Sequence, residues 1–371
     1  MTGALGELRI VDFSRVLAGP LATMVLADLG ATVVKVERPG AGDDTRAWGP
    51  PHDDAGQATY FQAVNRNKTS VTLDLRAPDG RRAARALIAG ADVVVENFRP
   101  GLMDELGLGC DALRAERPEL VFCSITGFGA GAGAALPGYD LLVQAVGGLM
   151  SITGAPDGPP QKVGVAVVDV IAGLFAAVGI LAALRHRDAT GEGQRVEVDL
   201  LTALLAGLAN QASAFTVAGV VPARMGNAHP SIAPYELLRA QDGELAVAVG
   251  TDRQFAALCT ALGAPELARD PRFATNGDRV AHREALRGAL EDRLARRTVA
   301  AWTDELTAAR VPAGPVNDLA GAFALAERLG LAPTVELPRP DGGTVTLPRN
   351  PIRLSATPAS YRSAPPPLPA A

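Results

Sequence analysis

The 371-residue sequence is poor in cysteine and histidine, and each scarcity excludes a class of protein. Its three cysteines are too few and too far apart for a disulfide framework or a CxxC zinc site, which is typical of a protein that works in a reducing cytoplasm. The four histidines stand alone, without HExxH or comparable ligand spacing. The sequence therefore predicts neither a disulfide scaffold nor a metal site.

The sequence also has no excess of positively charged residues. The 35 Lys and Arg residues are scattered and outnumbered by 40 Asp and Glu, which gives a net charge of −5. Nucleic acids and anionic membranes are bound by concentrated basic residues, so neither is a predicted partner. The N-terminal residues MTGALGELRIVDF contain no basic segment followed by an apolar one. No signal peptide is therefore predicted, and a cytoplasmic location is expected.

Long apolar runs are absent with one exception, residues 163–184 (VGVAVVDVIAGLFAAVGILAAL). The run is long enough to span a bilayer, but it carries one carboxylate, Asp169, and three glycines. Its β-branched first half and its Ala/Leu-rich second half predict a strand followed by a buried helix, not a membrane span. The cations of residues 185–187 (RHR) suit the C-terminus of that helix.

Asp169 needs an explanation, because an unpaired carboxylate in apolar surroundings costs several kcal/mol or more. It either caps a helix that begins near Ile171 or serves as a reactive group. The two roles are compatible, since a helix N-terminus stabilises the anion and a nucleophile must be ionised. No GxSxG elbow is present, so Asp169 is the strongest candidate for a covalent nucleophile.

Alternating strand and helix patterns predict an α/β protein: a large domain with a parallel, Rossmann-like sheet, followed by a smaller α+β domain that begins near Tyr235. Glu37 closes the second strand as in dinucleotide-binding folds, but the first turn (SRVLAGP) lacks GxGxxG. The glycine-rich loop GFGAGAGAALPGYD is either a surface connection or a loop that lets a ligand approach the backbone. Nicotinamide or flavin binding is not favoured.

Three cations lie at or just beyond the ends of predicted strands: Arg38, Lys68 and Arg99. Ligands of parallel sheets collect at the carboxyl ends of strands, where such cations could pair with phosphates. The alternative is ordinary solvated surface charge.

Seven stretches in order carry a family resemblance. They are VLAGPLATMVLADLGATVVKVERPGAGDDTRAWGP, NRNKTSVTLDL, VVENFRPG, GYDLLVQAVGGLMSITG, VGVAVVDVIAG, TGEGQRVEVDL and GNAHPSIAPYE. Together they resemble the class III CoA-transferases, also called the CaiB/BaiF family. The resemblance implies an interlocked homodimer and three segments: a large CoA-binding domain over 1–200 completed by 331–371, a helical linker over 201–225, and a small domain over 226–330.

The resemblance also implies roles for individual residues. Asp169 matches the family's catalytic aspartate, and Tyr139 stands in the adjacent active-site motif. The positions that match coenzyme-contacting motifs are Val16, Arg38, Lys68, Asn97, Phe98 and Arg99. Two positions depart from relatives: Glu105 stands where some have a cation, and Leu17 replaces a glutamine, which disfavours small oxalate-like substrates.

The implied activity is transfer of CoA from a donor acyl-CoA, with succinyl-CoA the expected donor, to a small carboxylic acid through aspartyl anhydride and aspartyl-CoA intermediates. A CoA thioester is then a substrate, and no permanently bound cofactor is expected. An α-methylacyl-CoA racemase is the alternative within the family, but racemases have histidine where this chain has Tyr139. A CoA-binding protein without activity, in which Asp169 only caps a helix, is a third possibility.

Overall fold

The computed structural model describes residues 3–340 and 342–369. Its strands within that part of the chain are β1 (Arg9–Asp12), β2 (Thr32–Glu37), β3 (Lys68–Thr72), β4 (Val93–Glu96), β5 (Val121–Thr126), β6 (Arg195–Asp199), β7 (Tyr235–Arg239), β8 (Glu244–Ala248), β9 (Ala313–Pro315), β10 (Thr334–Pro338) and β11 (Thr344–Pro348).

The α-helices alternate with these strands in the first half of the chain and dominate the second half. They are α1 (Ala18–Asp28), α2 (Thr59–Ala63), α3 (Pro78–Ala89), α4 (Leu102–Glu105), α5 (Cys110–Glu116), α6 (Asp140–Val146), α7 (Leu149–Ile152), α8 (Val167–Thr190), α9 (Leu200–Gly207), α10 (Ala209–Ala218), α11 (Asp252–Ala261), α12 (Asn276–Ala281), α13 (Arg283–Leu294), α14 (Val299–Ala308) and α15 (Leu319–Arg328).

Strands β1 to β6 form one parallel sheet in the order β3-β2-β1-β4-β5-β6. The sequences of β2 (TVVKVE) and β4 (VVVE) are rich in valine, as expected for parallel strands that are covered on both faces. The strand order reverses between β1 and β4, so the chain leaves these two neighbouring strands in opposite directions and opens a crevice at their carboxyl ends. The predicted α/β architecture with a parallel sheet is confirmed.

Helices cover both faces of this sheet. One apolar cluster joins the sheet to α1 and α8 and includes Leu26 and Ile180. The other joins it to α3 and α5 and includes Ile88 and Leu113. Gly173 brings α8 close to α1, because a Cβ at this position would lie 2.5 Å from the carbonyl oxygen of Ala18. The long apolar helix is therefore locked into the core near the carboxyl edge of the sheet.

Helix α8 begins at Val167, so the strand predicted over the first half of the apolar run is wrong. β-branched residues favour strands only where packing agrees. Here Val168 and Ala172 are buried within the α1–α8 cluster, and this packing outweighs the local preference. By length and composition α8 could cross a membrane, as could the bent pair α9–α10 taken as one span. The buried side of α8 nevertheless packs in the core, as predicted for a core helix.

A second, smaller group of elements surrounds the antiparallel sheet β7-β8-β9. The sequence PYELLRAQDGELAVAVG predicts a hairpin with Asp242-Gly243 in its turn, and the hairpin is present: the N–H of Ala240 donates to the carbonyl of Gly243 at 2.8 Å. Helices α11, α13 and α14 correspond to three segments whose sequences predict helices, DRQFAALCTALG, HREALRGALEDRLARR and TVAAWTDELTAAR. Their core contains Phe255, Leu290 and Trp302.

The C-terminal segment forms the antiparallel hairpin β10–β11. The segment groups with the first unit, as expected, and β11 is a strand there. It pairs with β10 and does not join the six-stranded sheet. The proline-rich tail wraps on the surface of its own unit. Asn67 donates to the carbonyl of Ser360 at 2.8 Å, and Arg46 donates to that of Pro366 at 3.1 Å.

The chain divides into two compact units. The first comprises Met1–Leu149, Lys162–Val220 and Ala332–Ala371, and the second comprises Met150–Gln161 and Val221–Leu331. Residues 150–161 thus group with the second unit, whereas the sequence-based division placed them in the large domain. The predicted linker is helical, and α9 and α10 group with the first unit.

Candidate active site

A cavity of about 470 Å³ opens at the carboxyl edge of the six-stranded sheet. Its walls are the loops that follow β1, β4 and β5, together with the first turn of α8. Six of the eight site residues expected from the sequence line it: Val16, Asn97, Phe98, Arg99, Tyr139 and Asp169. These residues come from four separate segments, which meet because the strands before three of them are parallel.

Asp169 is the third residue of α8 and is partly buried. It is not the helix cap that one interpretation of the sequence suggested. Asp140 caps the helix from a distant segment: its Oδ1 accepts from the backbone N–H of Val168 at 2.8 Å and from that of Asp169 at 3.4 Å. Its Oδ2 accepts from the side chain of Gln144 at 2.6 Å. Because Asp140 satisfies the helix end, the Asp169 carboxylate is left to face the cavity.

The electrostatic environment of Asp169 is unusual for an aspartate. Burial, with the negative charge of Asp140 added, raises its pKa to about 7. The phenol of Tyr60 lies near both carboxylates. Burial raises its pKa, and the negative charges of Asp169 and Asp140 raise it further. Tyr60 also packs edge-on against Trp48, with ring centroids 5.4 Å apart. The pKa of Asp169 is therefore close to neutral pH, so a small change in its surroundings alters the fraction that is ionised.

The loop after β1 has a strained backbone. Val16 has a φ of 68°, in the left-handed region that β-branched residues rarely enter. Two contacts hold it there. Asn97 and the backbone of Arg15 exchange two hydrogen bonds of 2.8 Å, and the N–H of Val16 donates to Asp43 at 3.3 Å. Such strain persists only where the surroundings enforce it, and it concentrates at ligand-binding sites.

Lys68 does not reach the cavity, contrary to the expectation that it contacts the nucleotide. Its side chain is fully enclosed, and its ammonium donates to Asp12, Asn65 and the carbonyl of Pro20 at 2.9–3.0 Å. Burial lowers its pKa to about 8. The sequence placed Lys68 at or beyond the end of a strand, whereas it is the first residue of β3, and Asp12 of β1 lies beside it.

A second enclosed ion pair lies next to the first. Lys35 bonds Asp43 at 2.8 Å and also donates to the carbonyl of Ser14 at 2.8 Å. Burial alone would raise the pKa of Asp12, but Lys68, Lys35 and two hydroxyl donors hold it at about 2. The two pairs fasten the loop 14–16 to the strands behind it.

Arg38 and Arg99 lie at the surface with acidic partners. Arg38 pairs with Asp44, which lines the cavity, although Arg38 itself is not among the lining residues. Arg99 lines the cavity and forms a two-pronged pair with Glu105, in which one N–O distance is 2.9 Å. Glu105, where relatives were expected to carry a cation, therefore neutralises the neighbouring arginine.

The glycine-rich loop closes on itself before reaching Tyr139. A Cβ on Gly127 would lie 2.4 Å from the Cα of Gly138, so only glycine allows the two ends of the loop to meet. The loop then delivers Tyr139, whose side chain is 62% exposed in the cavity mouth. Of the two interpretations of this loop, a wall of the cavity is the one that the structure supports.

Two residues that line the cavity, Arg15 and Asp44, were missed from the sequence. Arg15 adjoins Val16 in the chain, so an available signal was overlooked there. Tyr60, whose phenol the charge of Asp169 reaches, gave no signal, because only folding brings the two together.

The family model described as CoA-transferase family III matches residues 5–370. The chain belongs to this family. A succinate–glutarate CoA-transferase of Agrobacterium fabrum is 44% identical over 375 residues, covering 98% of this chain and 92% of that protein. An acetyl-CoA:oxalate CoA-transferase of Acetobacter aceti is 41% identical over 355 residues, covering 95% and 90%.

A solved structure supports the same family assignment. The chain superposes on a CaiB/BaiF family protein from Brucella suis with a TM-score of 0.87 and 45% identity, covering 99% of this chain and 97% of that one. The family expected from the sequence motifs is thus confirmed. The enzyme is a CoA-transferase of family III, and its substrates include a CoA thioester.

Proposed function

We propose that this enzyme moves CoA from succinyl-CoA to a small dicarboxylic acid, with Asp169 as the covalent nucleophile. The observation that carries the proposal is the placement of Asp169. Among the described residues that line the cavity, Asp169 carries the carboxylate that neither caps a helix nor forms an ion pair. It lies in the first turn of α8, and Asp140 already caps that helix.

The first half-reaction converts succinyl-CoA and the Asp169 carboxylate into succinate and an aspartyl-CoA thioester. The Asp169 carboxylate attacks the thioester carbonyl of succinyl-CoA, the C–S bond breaks, and CoA thiolate leaves a mixed anhydride on the enzyme. The thiolate then attacks the aspartyl carbonyl, and succinate departs as a carboxylate. The product is an aspartyl-CoA thioester.

The second half-reaction reverses these steps with the acceptor. The acceptor carboxylate attacks the aspartyl thioester and releases the thiolate, which then attacks the acceptor carbonyl of the new anhydride. The acceptor leaves as its CoA thioester, and Asp169 is regenerated as a carboxylate. No proton is consumed overall, so the residues around Asp169 need only bind, orient and exclude water.

The cavity supplies groups for these tasks. Tyr139 presents a phenol that can donate to the oxyanion formed at the attacked carbonyl. Val16, Asn97, Phe98 and Arg99 line the wall along which the coenzyme would lie, and Arg38 pairs with Asp44 of that lining. Lys68 supports this wall from behind and is not proposed to touch the coenzyme.

The acceptor class rests on relatives. Proteins named for glutarate transfer occur in Agrobacterium fabrum, mouse and human, and two haloarchaeal relatives are named succinyl-CoA:mesaconate CoA-transferases. The Acetobacter aceti relative is named for oxalate. Leu17, an apolar residue packed beside Val64 and Val170, favours the longer dicarboxylates over oxalate.

Turnover assays separate this proposal from the racemase alternative. Purified enzyme with succinyl-CoA and glutarate, mesaconate or oxalate should form the acceptor's CoA thioester, fastest with an acceptor of four or five carbons. It should not exchange the α-hydrogen of a 2-methylacyl-CoA in deuterium oxide. Exchange without any transfer would instead establish the racemase.

We also propose a cytoplasmic homodimer. Several large apolar residues of the first unit are exposed: Leu174, Phe175 and Val178 on α8, and Phe215 and Val217 near the end of α10. A second copy of the chain would cover these exposed apolar side chains.

A further inference from the structure

Arg15 carries a guanidinium that has no acceptor within the part of the chain that the structure describes. It lines the cavity, is partly buried, and lies over the ring of Phe98 at 5.0 Å from the ring centroid. Arg38 and Arg99, by contrast, each hold a carboxylate. The five N–H donors of a partly buried arginine normally bond to acceptors, so the guanidinium of Arg15 has unused hydrogen-bond donors.

The surroundings do not supply the missing anion. Burial, and after it the positive charge of Arg38, lower the pKa of Arg15, whereas the carboxylates of Asp44, Asp43 and Glu37 raise it. Each of these carboxylates pairs with a cation other than Arg15. Arg15 therefore lacks a carboxylate of its own, and an incoming anion would supply the partner.

The side chain is not needed to shape its own loop. The backbone of Arg15 is fixed by its two hydrogen bonds with Asn97, and the next residue by Asp43. The guanidinium instead lies over the ring of Phe98, and its N–H groups, which have no acceptor among the described residues, are available to bind two oxygens at once.

The incoming anion would lie away from the reacting carbon. Arg15 lies over Phe98, where the loops after β1 and β4 line the cavity, whereas Asp169 lies in the first turn of α8 beside Asp140. The two groups thus occupy different parts of one cavity. This separation favours a phosphate of the coenzyme over a carboxylate of the acyl group.

We infer that Arg15 is a further coenzyme-binding residue, whose guanidinium, stacked on Phe98, binds phosphate oxygens of the CoA nucleotide. The inference rests on the proposed function only in taking CoA as the ligand. Phosphate–arginine pairs of this type are charge-assisted and directional, so Arg15 would position the coenzyme as well as hold it.

The test compares Arg15→Gln, Arg15→Lys and a matched control, Arg82→Gln. Arg82 is an exposed arginine of α3, paired with Asp79 outside the cavity. Titration calorimetry measures the affinity for free CoA and for dephospho-CoA, which lacks the 3′-phosphate. Steady-state kinetics then compare kcat/KM for succinyl-CoA and for succinyl-pantetheine, which carries no phosphate.

Arg15→Gln should weaken CoA binding about 10- to 100-fold, the range of a lost charge-assisted pair. Arg15→Lys should recover part of the loss, and Arg82→Gln should bind as the wild type. The kcat/KM for succinyl-pantetheine should not change. If the Arg15→Gln loss persists with dephospho-CoA, the diphosphate is the bound group. If it disappears, the 3′-phosphate is.

Two results would overturn the inference. One is CoA binding by Arg15→Gln that equals the wild type. The other is an equal fall in kcat/KM for both thioesters, which would place Arg15 at the acyl end or in the fold. Neither result affects the proposed function, which is tested separately by CoA transfer and by the Asp169 adduct of the wild-type enzyme.

Discussion

Asp169 is an acid held where its ionisation is unfavourable. Burial and the charge of Asp140 raise its pKa to about 7, so near neutrality the free enzyme is a mixture of acid and carboxylate. Only the carboxylate can attack a thioester. Asp140 has two opposing effects: its hydrogen bonds hold the helix end that presents Asp169, and its charge makes Asp169 harder to ionise.

Asp140→Asn separates these two effects. Asparagine keeps an oxygen that can accept from Val168, so the helix end remains capped, while the negative charge is removed. The pKa of Asp169 should fall, and the rising limb of kcat/KM against pH, with a midpoint near 7 in the wild type, should move to lower pH. Asp140→Ala, which removes the cap as well, is the comparison. An unchanged midpoint in Asp140→Asn would show that another group controls the limb.

The stability of Asp169→Asn reports the same pKa without any substrate. The native pKa of about 7 lies above the ordinary aspartate pKa of 3.8, so ionisation opposes folding as pH rises through this interval, with the full effect above pH 7. Asp169→Asn should therefore raise the free energy of unfolding by about 1–2 kcal/mol at pH 8, after allowance for partial exposure, and by almost nothing at pH 4. Urea titrations at both pH values measure this. The exposed Asp157→Asn is the control, and a gain for Asp169→Asn at pH 4 equal to that at pH 8 would contradict the assignment.

Elements at the carboxyl edge are held by charges that lie inside the fold. Lys68, at the start of β3, pairs with Asp12 of β1, and Lys35 of β2 pairs with Asp43 in the loop that follows β2, so one enclosed ion pair joins two strands and the other holds a loop to its strand. The loop that these pairs support carries Val16 in its strained conformation. Enclosed pairs add little net stability when formed, but removing one partner leaves a charge unpaired.

Lys68→Met should therefore be strongly destabilising. The substitution leaves the buried carboxylate of Asp12 without its ion-pair partner, so the free energy of unfolding should fall by about 3–5 kcal/mol. Lys162→Met, at an exposed lysine, should change it by less than about 0.5 kcal/mol. Thermal and urea unfolding of the two variants provide the measurement. A Lys68→Met protein as stable as Lys162→Met would show that the pair does not support the fold.

The α/β alternation, most helices of the sheet and the β7–β8 hairpin could be predicted, because each rests on local patterns of valine, glycine and caps. Asp169 could be named because its charge interrupts an apolar run. The start of α8 could not, since the residue that caps it, Asp140, is 28 positions away from Val168. Lys68 was misplaced for the same reason: the carboxylate that encloses it lies 56 positions earlier.

At the scale of the whole molecule, the exposed apolar residues of α8 and α10 are the feature that a single chain leaves unexplained. Phe175 and Val178 lie on the side of α8 opposite its buried alanines, and both are close to half exposed or more. The proposed homodimer would bury this surface, and an enzyme that needs it buried would lose activity on dissociation.

Val178→Glu places a charge in the middle of that surface without touching the core. Sedimentation equilibrium should find the wild type at twice the mass of the chain and Val178→Glu at the mass of one chain, because burying an unpaired carboxylate opposes association. Arg82→Glu, a charge change on the exposed side of α3, should remain dimeric. A monomeric wild type, or a dimer that tolerates Val178→Glu, would contradict this assignment of the interface.

The central claim is that Asp169 becomes covalently bound to CoA, and mass spectrometry tests it most directly. The enzyme is mixed with succinyl-CoA without an acceptor, quenched, and analysed intact and after digestion. We predict an added mass of CoA less one water, confined to the peptide that contains Asp169 and absent from Asp169→Asn. Transfer activity without such an adduct, or an adduct on another residue, would contradict the account.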